Sequence, residues 1–393
     1  MKIAYINADP DVPVFGASGS SVHVQEVVLA LLKRGDEVHL FATRLGDQTA
    51  NDLTSLHIHP LPRVARKDQS TAGLERAALD NNETLHRALT KEHEQSPFDL
   101  IYERHSLWNC AGMDFATEHQ IPSVLEVNAP LLEEQTARHA LVNRAIAEDV
   151  TMRVFRAASV ITVVSKELGH LIEQHPSARG KIHVVPNAVR PERFLHAEPT
   201  LPKLGRFVIG FVGELRAVHG FATLINSFAA FAQQSYDANL LIVGDGPARE
   251  ELHREIAARE LLGRVRFTGA VVPEAIPGLL ASMDVAVAPY PPLAHFYSSP
   301  LKVYEYMAAG LPIVASRIGQ VGEIIQDGVT GLLVAPGDSA SFTKALIRLQ
   351  SDSQLREQLG ANARESVSEH SWDRIVDHVI ALVEANAQIP TPG

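Results

Sequence analysis

Residues 296–315 read Phe296-Tyr297-Ser298-Ser299-Pro300-Leu301-Lys302-Val303-Tyr304-Glu305-Tyr306-Met307-Ala308-Ala309-Gly310-Leu311-Pro312-Ile313-Val314-Ala315, and this stretch decides the fold class. Small polar residues and Pro300 mark a helix start, and Gly310 and Pro312 mark its end. An apolar strand follows at once, at 313–315. Backbone N–H groups near 299–302 then point at an anion that the helix dipole favours, and Lys302 adds a full positive charge. Glu305 lies one turn further, on the same face as Leu301 and Lys302. There its carboxylate can accept hydrogen bonds from two vicinal hydroxyls, such as those of a ribose. The competing reading is a Lys–Glu pair on an ordinary exposed helix. The phosphate-and-sugar reading is preferred because it explains the helix start, the cation and the acid together.

Outward from this stretch, short apolar runs alternate with amphipathic ones. Strands are expected at 2–7, 37–43, 56–61, 100–104, 123–127, 160–164 and 182–185. The first helix is expected at 22–33, with Val24, Val27, Val28 and Leu31 on one face and Gly35 closing it. The pattern restarts after residue 204, with strands at 206–213, 240–243, 265–267, 285–288 and 313–315 and helices at 221–231 and 249–261. Such alternation means crossover connections and parallel sheets. The expected class is α/β, with two Rossmann-like parallel-sheet domains facing a central cleft. Their bounds are set at 1–190 and 204–370, joined by a linker near 190–204 and followed by a closing segment, 371–393. The closing segment is an amphipathic helix anchored by Trp372 and returning to the first domain, with a frayed tail from Gln388. Residues 71–94 form a polar helix expected to present a solvated face. Sheets of this kind bind ligands at the carboxyl ends of their strands.

Composition narrows the function. The 393 residues are 46% hydrophobic and 21% charged, ordinary for two globular cores. A net charge of −11 argues against a nucleic-acid binder, which carries a basic face. Cys110 is the only cysteine, so there is no intrachain disulfide and no Cys-rich zinc site. The chain turns polar after Ile6 and holds no apolar run near the ~18 residues that span a bilayer. A cytoplasmic protein, a monomer or homodimer, is expected; peripheral membrane contact stays open.

Three further segments offer chemistry. Phe15-Gly16-Ala17-Ser18-Gly19-Ser20-Ser21-Val22-His23 follows the first strand. Its small residues let a phosphate approach the backbone, and a plain tight turn is an equal alternative. It has neither the spacing of a GxGxxG motif nor the Lys-Ser/Thr ending of a Walker loop. Phe211-Val212-Gly213-Glu214-Leu215-Arg216-Ala217-Val218-His219-Gly220 opens the second domain, where Arg216 is either a diphosphate cation or a surface residue. Leu241-Ile242-Val243-Gly244-Asp245-Gly246-Pro247 is read chiefly as structural packing.

Across nearly the whole length the chain resembles a family 4 glycosyltransferase of the GT-B architecture. Residues 299–315 carry the likeness, supported by Val185-Pro186-Asn187-Ala188-Val189, Phe211-Val212-Gly213, Val243-Gly244-Asp245-Gly246-Pro247 and Asp327-Gly328-Val329-Thr330-Gly331-Leu332-Leu333-Val334. The resemblance implies transfer of a sugar, with retention, from a UDP- or GDP-linked donor to a hydroxyl acceptor such as a glycan, a lipid-linked sugar or a small metabolite. It implies no cofactor and no catalytic metal. By position, Glu305 matches the acid that holds the donor ribose, and Leu301 and Lys302 match positions whose N–H groups contact the diphosphate. Ser299 and Pro300 lead into that helix, Gly213 closes the matching Phe211-Val212-Gly213 motif, and Gly16 to Gly19 match a first-domain phosphate loop. Two departures stand out. Tyr297 occupies the place of a sugar-reading glutamate, and Glu214 and His219 occupy the places of a common Arg and Lys, leaving Arg216 and Lys302 to supply charge. In the first domain Arg104 stands where a catalytic-site His is frequent, and Asn128 stands where a strand-end His is frequent. Arg104 is therefore grouped with Arg216 and Lys302 as catalytic, and Glu103, His105, Glu126 and Asn128 as acceptor residues, with local turn chemistry the alternative for these groups. The rival to a transferase is a non-catalytic or epimerase-type protein that binds nucleotide-sugars.

Overall fold

The computed structural model describes residues 1–46, 53–62, 68, 70–202 and 204–387, so the tail from Gln388 lies outside the described residues. The chain divides into two compact units. Unit 1 holds Met1–Gly16, Ser20–Pro186 and Trp372–Gly393, and unit 2 holds Ala17–Gly19 and Asn187–Ser371.

The elements run β1 (Lys2–Asn7), α1 (Gly19–Lys33), β2 (Glu37–Ala42), β3 (His57–Pro60), α2 (Thr71–Gln95), β4 (Leu100–Arg104), α3 (Ala111–Glu118), β5 (Ser123–Val127), α4 (Leu131–Ala137), α5 (Arg144–Ala157), β6 (Val160–Val163), α6 (Lys166–Ile172) and β7 (Ile182–Val184). All seven strands are parallel, in the order β3-β2-β1-β4-β5-β6-β7. The order reverses direction between β1 and β4, a switch point of the kind at which such sheets bind ligands. α1 ends as its sequence dictates: Gly35 takes φ +89° and the N–H of Asp36 returns to the carbonyl of Leu31.

α2 is more than the solvated face expected of it. Buried Glu75 accepts hydrogen bonds from the N–H groups of Val142 and Asn143, at 2.8 and 2.9 Å, and so holds the entry to α5. Asn82 accepts from the N–H groups of Cys110 and Ala111, at 2.8 and 2.9 Å, and so caps α3.

The later elements are β8 (Phe207–Val212), α7 (Phe221–Ala232), β9 (Ala238–Val243), α8 (Arg249–Ala258), β10 (Val265–Phe267), α9 (Ile276–Leu280), β11 (Val285–Ala288), α10 (Leu301–Ala308), β12 (Ile313–Ser316), α11 (Val321–Ile324), β13 (Leu332–Val334), α12 (Ser339–Ser351), α13 (Ser353–Val367) and α14 (Trp372–Ala387). The strand order is β10-β9-β8-β11-β12-β13, with the reversal between β8 and β11. β13 adds a strand where the sequence shows only a Gly-and-apolar motif, because three residues are too few to display a period.

Both faces of this second sheet are apolar, as a sheet covered on both sides requires. Val208, Val212, Leu241, Val243, Ala286 and Ala288 enter one core with α9 and α10. Phe207, Ile209, Phe211, Leu240, Ile242 and Val285 enter the other, with Phe228 and Phe231 of α7 and Phe342 of α12. Within unit 2 Phe194 is buried in the core, and Arg193 donates to the carbonyl of Pro273 at 2.6 Å. Among the described residues no helix is long and apolar enough to cross a membrane.

Candidate active site

In unit 2 three devices fix α10. The phenol of Tyr306, buried beneath the helix, accepts from the N–H of Val212 at 2.8 Å, which ties α10 to the carboxyl end of β8. Asn187 donates its backbone N–H to Ser299 Oγ at 3.0 Å and its Nδ2 to the Ser299 carbonyl at 2.6 Å. At the far end Arg364 Nη2 donates to the carbonyl of Ala309 at 2.7 Å. No side chain caps the helix at Pro300, so the first N–H groups of α10 receive no such bond.

Lys302 projects from this first turn into a buried site. Its ammonium lies 4.2 Å from the centre of the Phe211 ring and 5.9 Å from that of Tyr290. Its Nζ has no hydrogen-bond partner, although the residue is only 8% exposed. Burial pulls the ammonium down to about 7, against the raising influence of Glu305 and Glu214. Gly213 leaves the room it needs: with φ +139°, it would place a Cβ 2.7 Å from Lys302 Nζ. Beside it, His219 is drawn down to about 3 by burial and then by the charge of Lys302, so it sits there as a neutral ring. Ala17–Gly19 groups with this unit, and a Cβ on Gly19 would stand 3.7 Å from Leu301 Cδ1.

In unit 1 the strand register assembles a different site. Asn7, Arg104 and Glu126 are register neighbours at the carboxyl ends of β1, β4 and β5, and Thr162 of β6 continues the row. Glu126 is 4% exposed yet carries four partners. Its Oε1 lies 2.9 Å from His23 Nε2, 3.0 Å from Arg104 Nη1 and 2.6 Å from Asn128 Nδ2, while Oε2 accepts from the Tyr102 hydroxyl at 2.8 Å. Burial raises this carboxyl, but His23, Arg104 and Asn128 outweigh it and hold it at about 2. Tyr5 stacks on Tyr102 at 5.1 Å, and Trp372 meets the His23 ring edge-on at 4.9 Å. Asn7 Oδ1 and Thr162 Oγ1, both buried, have no hydrogen-bond partner in the same row.

Comparison with known proteins gives the family. Residues 206–352 match a model described as "Glycosyl transferases group 1", and residues 17–193 match one described as "Glycosyltransferase Family 4". The 2-deoxystreptamine glucosyltransferase of Streptomyces kanamyceticus is 30% identical over 316 residues, 75% of this chain and 78% of that one. The chain belongs to the family 4 glycosyltransferases. The D-inositol 3-phosphate glycosyltransferase of Salinispora tropica is 26% identical over 93% of this chain and 80% of its own. Among solved structures, a sucrose-phosphate synthase from Thermosynechococcus elongatus superposes with TM-score 0.75 at 20% identity, covering 98% of both chains. Anabaena HepE in complex with UDP-glucose gives 0.72 at 20% identity, covering 98% of this chain and 100% of its own. These structures establish the GT-B fold.

Within this glycosyltransferase the expected residues separate. Leu301, Lys302 and Glu305 stand together on the first turns of α10, Ser299 and Pro300 form its entry, and Gly213 lies beneath Lys302. Ser299 is spent on Asn187. Tyr297 is half-buried in the segment before the helix. Arg216 is exposed after β8, 3.8 Å from Glu214. Gly16 is tightly enclosed, since a Cβ there would stand 2.7 Å from Ser21 Oγ.

Arg104, Glu126 and Asn128 converge, but Glu103 does not join them. Strand alternation turns it to the opposite face, where Asn109 Nδ2 donates to it at 2.7 Å and Gly112 packs against it. Burial lifts Glu103 to about 8, so it is a protonated acid inside the α3 side of the sheet. His105 also leaves the row and packs 5.6 Å from Phe155 of α5, with burial lowering it to about 4. Sequence reasoning missed His23, Tyr102, Asn187 and Tyr306. His23, Asn187 and Tyr306 stand within stretches already singled out, but their partners are remote in sequence.

Proposed function

We propose that this glycosyltransferase moves a sugar, with retention of configuration, from a UDP- or GDP-linked donor to a hydroxyl acceptor in the cytosol. The carrying observation is Lys302, a buried ammonium without a hydrogen-bond partner at the uncapped start of α10. A diphosphate completes both groups at once: its oxygens accept from the ammonium and from the first N–H groups of the helix. Glu305, one turn on, holds the ribose hydroxyls. The kinship with a 2-deoxystreptamine glucosyltransferase and the likeness to HepE, whose structure contains UDP-glucose, support a nucleotide-sugar donor.

In the reaction the bond from the sugar C1 to the diphosphate oxygen breaks, and its electron pair leaves on the diphosphate. Lys302 and the α10 dipole stabilise that charge in the role a metal fills elsewhere. The acceptor oxygen bonds to C1 on the face the diphosphate leaves, and its proton passes to a diphosphate oxygen. Glu126 is no general base in this scheme: held at about 2 and bound by four groups, it is too weak an acceptor near neutrality. Its place is to fix Arg104 and Asn128 for the acceptor. Thermal-shift measurements against UDP-, GDP- and ADP-sugars, followed by incubation with the radiolabelled sugar of the stabilising base, test the reading. Stabilisation by a nucleotide-sugar and release of its nucleoside diphosphate support it, and no stabilisation by any of them overturns it.

A further inference from the structure

At the outer edge of the first sheet, β2 and β3 set His39 opposite His57 and Phe41 opposite His59. The two-residue period of a strand therefore puts Glu37, His39, His57 and His59 on one face, and α2 brings Glu92 beside them. His39 Nε2 lies 2.8 Å from Glu37 Oε1, and His39 Nδ1 lies 2.9 Å from His59 Nε2. His59 Nδ1 lies 3.8 Å from Glu92 Oε1. One ligand atom each from His39, His59 and Glu92 falls within 4.8 Å of the others. The rings are restrained: His39 stacks on His57 at 4.6 Å and His59 on Phe41 at 4.5 Å.

We propose that His39, His59 and Glu92 bind a divalent transition-metal ion, Zn2+ being the best matched, with Glu37 orienting His39. Two imidazoles and a carboxylate are a borderline-soft donor set that suits zinc and leaves a fourth position for water. Glu37 supplies the usual outer partner of a metal-bound histidine. With Nε2–H donated to Glu37, the His39 Nδ1 lone pair faces His59. Two ring nitrogens on one tetrahedral zinc stand about 3.3 Å apart, given Zn–N bonds of about 2.0–2.1 Å. The observed pair at 2.9 Å thus opens by only about 0.4 Å to admit the ion. Lys2 opposes this, since its ammonium is held nearby on the carbonyls of Ser96 and Glu92 at 2.7 and 3.3 Å. The carboxylates of Glu37 and Glu92 outweigh its single charge. The ion clamps edge strand β3 to β2 and α2, so its binding raises the stability of that edge.

The test is calorimetric titration of the full chain, stripped with chelator, with ZnCl2, alongside melting curves. One equivalent bound and a raised Tm are expected. His59→Ala abolishes that equivalent, and Glu37→Gln weakens it by about 10- to 100-fold. Glu92→Gln, nearly the same size as the native side chain, serves as a second ligand deletion should His59→Ala fail to fold. His57→Ala leaves the affinity unchanged. No binding of Zn2+ by the wild type, or one equivalent of undiminished affinity in both His59→Ala and Glu92→Gln, overturns the proposal.

Discussion

Two buried charges in this protein, Glu126 near the end of β5 and Lys302 on the first turn of α10, are treated oppositely. Glu126 in unit 1 is held by His23, Arg104, Asn128 and Tyr102. Lys302 in unit 2 has aromatic rings beside it and no hydrogen-bond partner. A buried charge without partners raises the energy of the folded chain, whereas a fully bonded one organises its neighbours. The contrast separates a charge left without hydrogen-bond partners from one that the protein completes itself. The pKa values carry the same signature, with the lysine drawn toward neutrality at about 7 and the glutamate driven to full ionisation at about 2.

The sharpest way to break the contrast is Lys302→Met. Turnover is expected to fall by about 10²- to 10³-fold, as for loss of one group that stabilises developing charge. The ligand-free protein is expected to melt higher than wild type. The sign follows from the shift: the folded value near 7 lies below the unfolded value near 10.4, so the unfolded chain binds the extra proton between them. Wild-type stability therefore falls as pH is lowered through that window, and the cost is complete below about 7. Calorimetric melting across this range should show the slope in the wild type and its loss in the variant. A lower Tm for Lys302→Met would refute the assignment.

Glu126→Gln is the complementary test. Arg104 is left buried without its counter-ion, and a loss of about 3–5 kcal/mol in denaturant unfolding is expected. Here the folded value is depressed, so the stabilisation is present above the unfolded value near 4.3 and is lost as pH falls through about 2. The variant should show a flatter acid limb, and an unchanged urea midpoint would end the claim that this network is structural.

Gly213→Ala sharpens the Lys302 side. A φ of +139° and a Cβ 2.7 Å from the ammonium predict a loss of about 1–3 kcal/mol and weaker donor binding, read by thermal melting and KM. The smallest effect is expected at Glu305→Ala. Affinity for a nucleoside diphosphate should drop about tenfold in calorimetry, with Tm unmoved, a change of about 1.4 kcal/mol at the low end of what a hydrogen bond to a charged group contributes. Unchanged affinity removes the ribose role.

Much of the fold was legible because crossover units repeat a pattern of apolar strand, glycine turn and amphipathic helix. β13 escaped because Leu332–Val334 is too short to show a period. The candidate site was legible in α10, where cation, acid and helix start lie within one or two turns of each other. It was less so in unit 1. β4 is buried on both faces, so its apolar pattern does not say which face of Leu100–Arg104 meets α3 and which meets the polar row. Placing Glu103 among the acceptor residues and Arg104 among the catalytic ones put into one site an acid packed under α3 and a cation in the polar row.

By itself the sequence determined what depends on local order: the alternation that makes two parallel sheets, the glycine that ends α1, and the run from Ser299 to Glu305 that sets a helix start, a cation and an acid side by side. Only the tertiary structure decided what depends on register and crossover. It set Asn187 on Ser299 across 112 positions, His39 against His59 across 20, and His23 against Glu126. The physical reason is that a side chain's type follows from its codon, but its partners, its burial and therefore its charge follow from which strand end the chain brings beside it.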